Sequence, residues 1–358
     1  MASAATISSS HTPNISCIKD FAESNGVVSI PSAYCSLADR HDEVDDRLSA
    51  SIPVIDFSLL TSPDPQIHAN ALSQLVKALV EWGFFMIVNH GIPESLTEDV
   101  MKKSFEFHNL PVEHKKKFSD TGLFTPIRYG TSSHSQGEKA HYWRDYLKVA
   151  THPEFSFPDH PPGFKEAGFE YTRKIRDIVR NLLQQIAESL GLEHNAIVKC
   201  SDFDSGFQKF QVNLYPPCPR PDLALGLPPH TDNGFFTLLT QNGVCGLQVK
   251  FDGKWVNVNP VPNCLLAVTG DQLEAVSNGR YKSVWHRAVL NSSSTRMTLT
   301  VANGPALDNE LGPAPELVKK EEAVFKSMKY RDYVFLQQEA RSAEKRALDD
   351  LRINSSPN

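Results

Sequence analysis

The stretch PPHTDNGFFTLL, residues 228–239, puts a histidine and an aspartate two positions apart, directly before a run of Phe, Thr and Leu. Successive side chains of a β-strand point to opposite faces of the sheet, so we predict that His230 and Asp232 share one face. Such a pair fits a surface ion pair, a structural polar contact or two ligands of a metal site. The sequence around the pair has to decide among these three interpretations.

Short β-prone runs, separated by turn residues, follow one another through this part of the chain. The pattern is typical of a sandwich or jelly roll. Helical periodicity precedes the runs at residues 67–82, 94–108 and 168–190, and it returns at 322–350. We therefore predict an α+β fold with a mainly β core, a jelly roll flanked by helices. The predicted strands of this core cover residues 207–215, 235–240, 246–250, 254–258, 264–269, 282–290 and 295–302.

Four regions follow from these patterns. We predict a flexible N-terminal segment at residues 1–48, a helix-rich region at 49–200, the jelly-roll core at 201–305 and a C-terminal helical segment at 306–358. The first segment begins with a run rich in Ser, Thr and Ala that lacks the hydrophobic block of a secretory signal. We expect a disordered tail there in preference to a targeting peptide.

The composition narrows the possible partners. The chain has 358 residues, a formal net charge of −6 and a pI near 6.1, so nothing in its charge attracts nucleic acid or an acidic membrane. No apolar run reaches membrane-spanning length. The six cysteines form no closely spaced pair and indicate reduced thiols. We expect a cytoplasmic monomer whose partner is a small-molecule substrate.

A second histidine and an arginine extend the opening pair into a larger constellation. His286 lies on a late predicted strand, and two imidazoles with one carboxylate can occupy one face of an octahedral Fe(II). Arg296 and Thr298 share a face of the last strand, where a guanidinium fork suits a carboxylate. A dicarboxylate can therefore chelate the metal at one end and be held by Arg296 at the other. The same three ligands also suit catalytic zinc.

With these residues in place, the chain resembles the plant Fe(II)/2-oxoglutarate-dependent dioxygenases of small-molecule metabolism. The resemblance runs from about Ile52 to about Tyr333. It rests on motifs that occur in the family's order. These are IPVID at 52–56, WGFF at 82–85, VNHGI at 88–92, WRDY at 143–146, NLYPPCP at 213–219, GLQV at 246–249 and SNGRYKS at 277–283.

The resemblance implies a distorted double-stranded β-helix and an enzyme that couples oxidation of a small metabolite to release of succinate and CO2. Its implied cofactors are Fe(II), 2-oxoglutarate and O2, with ascorbate as reductant. The implied metal ligands are His230, Asp232 and His286. The residues implied for 2-oxoglutarate are Arg296, Thr298, Asn213 and Tyr215, with Thr298 standing where the family usually has Ser.

The substrate wall departs from the flavonoid-oxidising relatives. Ala302 and Gly304 stand where those enzymes carry Phe and Glu, and Gln211 stands where some carry Lys. A wider and less charged wall favours a bulky, mostly apolar substrate such as an alkaloid, a terpenoid or a phenolic. The reaction can be hydroxylation, desaturation or demethylation. The candidate substrate residues are Tyr129, Thr131, Gln211, Phe236 and Ala302.

Other functions stay open at this point. Within the family they are a flavonoid or hormone oxidase and an ascorbate-dependent oxidase of the ethylene-forming type. A zinc hydrolase leaves Arg296 and Thr298 without a role, and the chain has no HExxH motif. A non-catalytic binding or hormone-sensing β-barrel has little reason to retain a complete ligand set.

Overall fold

Two β-sheets form the centre of the protein. We describe them from a computed structural model that covers residues 15–24, 27–36, 43–119, 122–131, 141–342 and 346–353. The strands are β1 (Val54–Asp56), β2 (Phe84–Val88), β3 (Ile127–Thr131), β4 (Asp145–His152), β5 (Gln208–Tyr215), β6 (Leu227–His230), β7 (Phe236–Gln241), β8 (Leu247–Phe251), β9 (Lys254–Val258), β10 (Leu265–Thr269), β11 (His286–Ala288), β12 (Arg296–Asn303), β13 (Glu310–Leu311) and β14 (Met328–Lys329).

The large sheet has the order β1-β2-β10-β7-β12-β5-β4-β3, and the small sheet has the order β6-β11-β8-β9. Short β13 and β14 pair separately. Helices surround the sheets, and 3₁₀ turns cover Ser32–Tyr34, Asp46–Ser51, Phe203–Ser205 and Ala347–Leu351. The α-helices are α1 (Ile18–Glu23), α2 (Phe57–Leu60), α3 (Pro65–Glu81), α4 (Glu94–His108), α5 (Val112–Lys116), α6 (Phe164–Ser189), α7 (Ala196–Cys200), α8 (Asp271–Val276) and α9 (Tyr330–Ser342).

Side chains of the large sheet alternate between two environments. On β12, Met297, Leu299 and Val301 are buried in the main apolar core, together with the apolar stripe of α6. The intervening Thr298 and Thr300 line a cavity between the two sheets. The period of two along a strand therefore separates a helix-facing side from a cavity-facing side. This arrangement confirms the predicted α+β class with a mainly β core.

Two predicted elements are shorter than expected. The strand predicted over 282–290 is reduced to β11, because the amides of Lys282 and Ser283 donate outside the sheet, to Leu79 O and to the Glu274 carboxylate. The helix predicted over 322–350 begins only at Tyr330. Its first residues instead lie in extended backbone that bonds to residues 351–353.

Parts of the segment predicted to be flexible, residues 1–48, pack against the body of the protein. The amides of Ile18 and Lys19 donate to the Asp145 carboxylate at 2.8 and 2.9 Å. Tyr34 packs edge-on against the buried Trp143 ring. Residues 1–14, 25–26 and 37–42 of this segment lie outside the described residues.

No helix in the described ranges combines the length and the apolar character needed to cross a membrane.

Buried ion pairs hold the C-terminal segment to α8. Glu274 is 4% exposed, and its carboxylate accepts bonds from the guanidinium groups of Arg346 and Arg352. Removing one partner of such a group leaves buried charge without compensation, which costs about 3 kcal/mol or more. The segment is therefore attached by charge as well as by the apolar contacts of Leu348 and Leu351.

Glu274→Gln is expected to lower the free energy of unfolding by about 3 kcal/mol, because Arg346 and Arg352 lose the buried carboxylate that they share. Urea denaturation followed by circular dichroism measures this loss. The matched control is Glu193→Gln, which removes an exposed pair with Lys199 and should leave the free energy of unfolding nearly unchanged. Equal losses in the two variants would contradict the structural role assigned to Glu274.

Candidate active site

The predicted metal ligands meet at the cavity. His230 and His286 are directly opposite each other on the paired strands β6 and β11. Their Nε2 atoms lie 3.7 and 3.8 Å from Oδ1 of Asp232. One ion with bonds of about 2.1 Å can span donors at that spacing. The three side chains therefore form a single candidate metal centre.

Backbone carbonyls orient both imidazoles. His230 Nδ1 lies 2.9 Å from Pro228 O, and His286 Nδ1 lies 3.3 Å from Val284 O. An Nδ1–H that donates to a carbonyl leaves Nε2 without a proton, so the lone pair of Nε2 points to the common centre. The carbonyls thus select the tautomer that a metal needs.

The loop after Asp232 is packed too closely for side chains at two positions. A Cβ on Gly234 would lie 2.3 Å from Asn303 O, and a Cβ on Gly270 would lie 2.3 Å from Gly234 O. The close approach lets the amide of Asp271 donate to Asp232 O at 2.8 Å. Glycine is needed here for space, and the result is a ligand loop bonded directly to the start of α8.

The Asp271 carboxylate connects the ligand loop to two other segments of the chain. It accepts hydrogen bonds from Thr231 Oγ1 at 3.0 Å, Ser283 Oγ at 2.7 Å and Tyr333 Oη at 2.7 Å. Burial raises the pKa of Asp271, while the nearby Arg346 and the three hydroxyl donors oppose that shift. Thr231 lies between two of the candidate ligands, so the network fixes their backbone.

Helix α9 adds two contacts to the same loop. Tyr330 Oη donates to Asn233 Oδ1 at 3.0 Å, and Gln337 Nε2 donates to Thr231 O at 2.8 Å. These bonds come from a segment about 100 residues further along the chain, and they close one side of the cavity.

A buried guanidinium stands at the other end of the cavity. Arg296 is 2% exposed, and NH2 donates to Gln241 Oε1 at 3.0 Å. Its guanidinium lies 5.1 Å from the ring centre of Tyr215, and its Nε has no hydrogen-bond partner. Burial lowers the pKa of this guanidinium. A side chain at position 246 would collide with Arg296, so the glycine there makes room for the guanidinium. No carboxylate among the described residues neutralises this cation.

Asn213 organises the wall between these two ends. Its Oδ1 accepts bonds from Arg144 NH1 at 2.8 Å and from Gln211 Nε2 at 2.7 Å. Its Nδ2 lies 3.5 Å from Thr298 Oγ1. All four side chains line the cavity. The predicted co-substrate residues Asn213, Tyr215, Arg296 and Thr298 are therefore brought together.

Two of the predicted substrate residues, Gln211 and Ala302, line the cavity. The other three do not line the part of the wall that the structure describes. Tyr129 and Phe236 lie on the helix-facing side of the sheet, inside the apolar core, and the Tyr129 hydroxyl lies 3.6 Å from Cys17 Sγ. Thr131 donates to Arg144 O at 3.0 Å.

Three cationic side chains on the cavity wall were missed by the sequence analysis. Arg128, Lys148 and Lys209 line the cavity from β3, β4 and β5. The period of two could have identified Lys209, because it lies two residues before Gln211 on one strand. Arg128 and Lys148 needed the pairing of β3 with β4, which no local pattern reveals.

The residues fit the groups that the sequence analysis expected. Two imidazoles and one carboxylate suit Fe(II) and leave positions open for further ligands. A buried guanidinium with an unsatisfied Nε suits one end of a dicarboxylate.

Comparison with known proteins agrees with this site. Residues 206–305 match the 2OG-Fe(II) oxygenase superfamily, and residues 52–171 match a family described as non-haem dioxygenase in morphine synthesis N-terminal. The chain is 41% identical to 2-oxoglutarate-dependent dioxygenase 19 of Oryza sativa subsp. japonica, over 85% of this chain and 91% of that protein. It is 40% identical to flavanone 3-dioxygenase 2 of the same organism, over 85% and 89%.

A solved structure shows the same fold. JOX2 in complex with 2OG, Fe and JA superposes with a TM-score of 0.83 at 28% identity, over 97% of this chain and 99% of that one. The predicted jelly-roll fold and the predicted oxidoreductase class are confirmed. The chain belongs to the 2OG-Fe(II) oxygenase superfamily and is a dioxygenase that uses Fe(II), 2-oxoglutarate and O2.

Proposed function

We propose that this dioxygenase oxidises a small plant metabolite at an iron centre held by His230, Asp232 and His286. One observation carries the assignment of residues: the ligand cluster and the buried Arg296 line the same cavity. Iron supplies the activation of O2, which no side chain can perform. The side chains supply ligands, orientation and a cavity that excludes bulk water.

Arg296 holds the far carboxylate of 2-oxoglutarate in this proposal. The guanidinium offers two parallel N–H donors, and its burial strengthens the contact by removing competing water. Thr298 and Tyr215 stand beside it and add hydroxyl donors. Asn213 fixes the wall through Arg144 and Gln211. Ascorbate as reductant stays a prediction.

The substrate is proposed to have a bulky, mostly apolar body, as in an alkaloid, a terpenoid or a phenolic. Phe124 and Phe207 lie edge to face on the cavity wall with ring centres 6.0 Å apart, and Val334 of α9 adds apolar surface. Aromatic and aliphatic surface of this kind suits the apolar body of such a ligand. The oxidation it undergoes is hydroxylation, desaturation or demethylation, with release of succinate and CO2.

A flavonoid oxidase is the second candidate, favoured by the similarity to flavanone 3-dioxygenase 2. The cavity wall argues against it. Ala302 provides no aromatic ring, and a Cβ on Gly304 would lie 2.5 Å from Tyr330 Oη. The space that a glutamate side chain would need at position 304 is occupied by Tyr330.

Asp232→Ala is expected to reduce succinate release at least about 100-fold, equivalent to ~2.7 kcal/mol, because the metal loses its only anionic protein ligand. Succinate is measured with Fe(II), 2-oxoglutarate and a panel of plant metabolites. Asp222→Ala, at an exposed ion pair, is the matched control and should retain activity. Full activity of Asp232→Ala would reject the proposed metal centre.

Arg296→Lys is expected to raise the Kd for 2-oxoglutarate at least about tenfold, or ~1.4 kcal/mol, since an ammonium cannot reproduce the bidentate fork. Calorimetry with Fe(II) under nitrogen measures this Kd. The exposed Arg220→Lys serves as control, and Thr298→Ser, which keeps the hydroxyl, should change the Kd less than about threefold. Activity with ascorbate in place of 2-oxoglutarate would assign the protein to the ethylene-forming type.

Asp271→Asn is expected to weaken Fe(II) binding by about 10- to 100-fold, because the amide cannot accept all three hydroxyl donors that hold the ligand loop. Metal affinity is measured by competition with a chelator. Glu274→Gln is the matched control, since it also removes a buried anion beside Arg346 but makes no bond to that loop. An equal loss of metal affinity in both variants would show that Asp271 acts only through stability.

A further inference from the structure

The guanidinium of Arg296 is held by neutral groups. Gln241 Oε1 accepts a hydrogen bond from NH2 at 3.0 Å, and the ring centre of Tyr215 lies 5.1 Å away. Arg296 is 2% exposed, yet no ion pair joins it to a carboxylate among the described residues. A buried charge is costly unless it is compensated by an opposite charge. The side chain is therefore suited to an anion that comes from outside the chain.

Strand register brings Gln241 to this arginine. Gln241 on β7 is directly opposite Thr298 on β12, and Arg296 lies two residues before Thr298, so the three side chains share one face of the large sheet. Thr237 and Leu239, which have the same parity on β7, line the cavity. Gln241 is the last residue of β7 on this face, and its long side chain reaches Arg296 diagonally.

The turn that follows Gln241 is bonded to the residues on either side of Arg296. Asn242 Oδ1 accepts from the amide of Met297, and Asn242 Nδ2 donates to Thr295 O, both at 3.0 Å. A shift of the backbone at Gln241 would therefore also displace the backbone at Arg296. The two residues are coupled through the backbone as well as through their side chains.

Stability by itself does not account for a glutamine at position 241. Its Nε2 is buried and has no hydrogen-bond partner among the described residues, and a buried donor of this kind costs free energy. A glutamate would avoid this cost and would neutralise Arg296, but its carboxylate would also compete with a ligand for the guanidinium. The neutral amide gives Arg296 a defined direction and keeps its charge for the ligand.

We propose that Gln241 is a positioning residue for 2-oxoglutarate, which acts by holding Arg296 in the direction of the far carboxylate of the co-substrate. The inference rests on the proposed function, in which Arg296 binds that carboxylate. A single acceptor oxygen fixes the guanidinium fork and leaves its other N–H donors to the ligand. The charge of Arg296 is then compensated only when the co-substrate is bound.

Gln241→Met removes the acceptor oxygen and keeps the length of the side chain. Calorimetry on the full chain, loaded with Fe(II) under nitrogen, should give a Kd for 2-oxoglutarate about 5- to 30-fold above the wild-type value, because a hydrogen bond to a charged group is lost. Fe(II) affinity, measured by competition with a chelator, should change less than about threefold. A general loss of structure would lower both affinities.

Gln241→Glu gives Arg296 an anion within the chain. Its Kd for 2-oxoglutarate should rise at least about 30-fold, because the new carboxylate competes with that of the co-substrate. The thermal midpoint of the protein without co-substrate should rise by about 2 °C or more, since a buried cation is now paired. Lower affinity together with higher stability in one variant cannot result from damage to the fold.

Gln185→Met is the matched control. Gln185 is also a buried glutamine, and its Oε1 lies 2.6 Å from Nε2 of His68, between helices α6 and α3. The substitution should lower the thermal midpoint, because this contact is lost, and should leave the Kd for 2-oxoglutarate within about threefold of the wild-type value.

Three results would overturn the inference: a Kd in Gln241→Met within about threefold of the wild-type value, an equal loss of Fe(II) affinity in that variant, or a lower thermal midpoint in Gln241→Glu. An unchanged Kd in Arg296→Lys, or no binding of 2-oxoglutarate to the wild-type protein, would instead reject the proposed function. The two failures are therefore distinguishable.

Discussion

The alternation of side chains along the large sheet is the constraint on which the rest of the structure depends. On β5 and β12, one set of alternate residues is buried against helices and the other set faces the cavity. A shift of one residue in β12 would move the co-substrate arginine into the apolar core and a leucine into the cavity. The apolar contacts with α6 therefore determine where Arg296 and Thr298 point.

Buried charged side chains also fix the position of the ligand loop. Asp271 and Glu274 lie on the short helix α8, and Arg346 contacts both of them. Buried ions cost free energy unless each is compensated, so this arrangement exchanges some stability for a defined position of the ligand loop. Arg296 is the contrasting case, because the described chain gives it a glutamine and an aromatic face but no anion.

Short sequence motifs were enough to predict the candidate metal ligands and the co-substrate arginine. The pair at 230 and 232, the histidine at 286 and the pair at 296 and 298 all meet at one cavity. Asp271 could not be predicted, since its partners come from three distant segments. Tyr129 was placed at the pocket by resemblance alone and Phe236 by strand alternation after the metal motif, but both are buried in the apolar core on the helix-facing side of the sheet. The positions of Arg128, Lys148 and Lys209 on the cavity wall depend on strand register, which is a long-range property.

The contacts from α9 to the ligand loop have a consequence for the biosynthesis of the protein. The loop around Asp232 leaves the ribosome before Tyr330, Tyr333 and Gln337, which lie about 100 residues further on. At ordinary rates of translation this interval is on the order of 5–20 s. The nascent chain therefore has the ligand loop, and then His286, before it has the helix that fixes the backbone of the loop. The ligand loop can therefore form its full set of hydrogen bonds only after α9 has been synthesised.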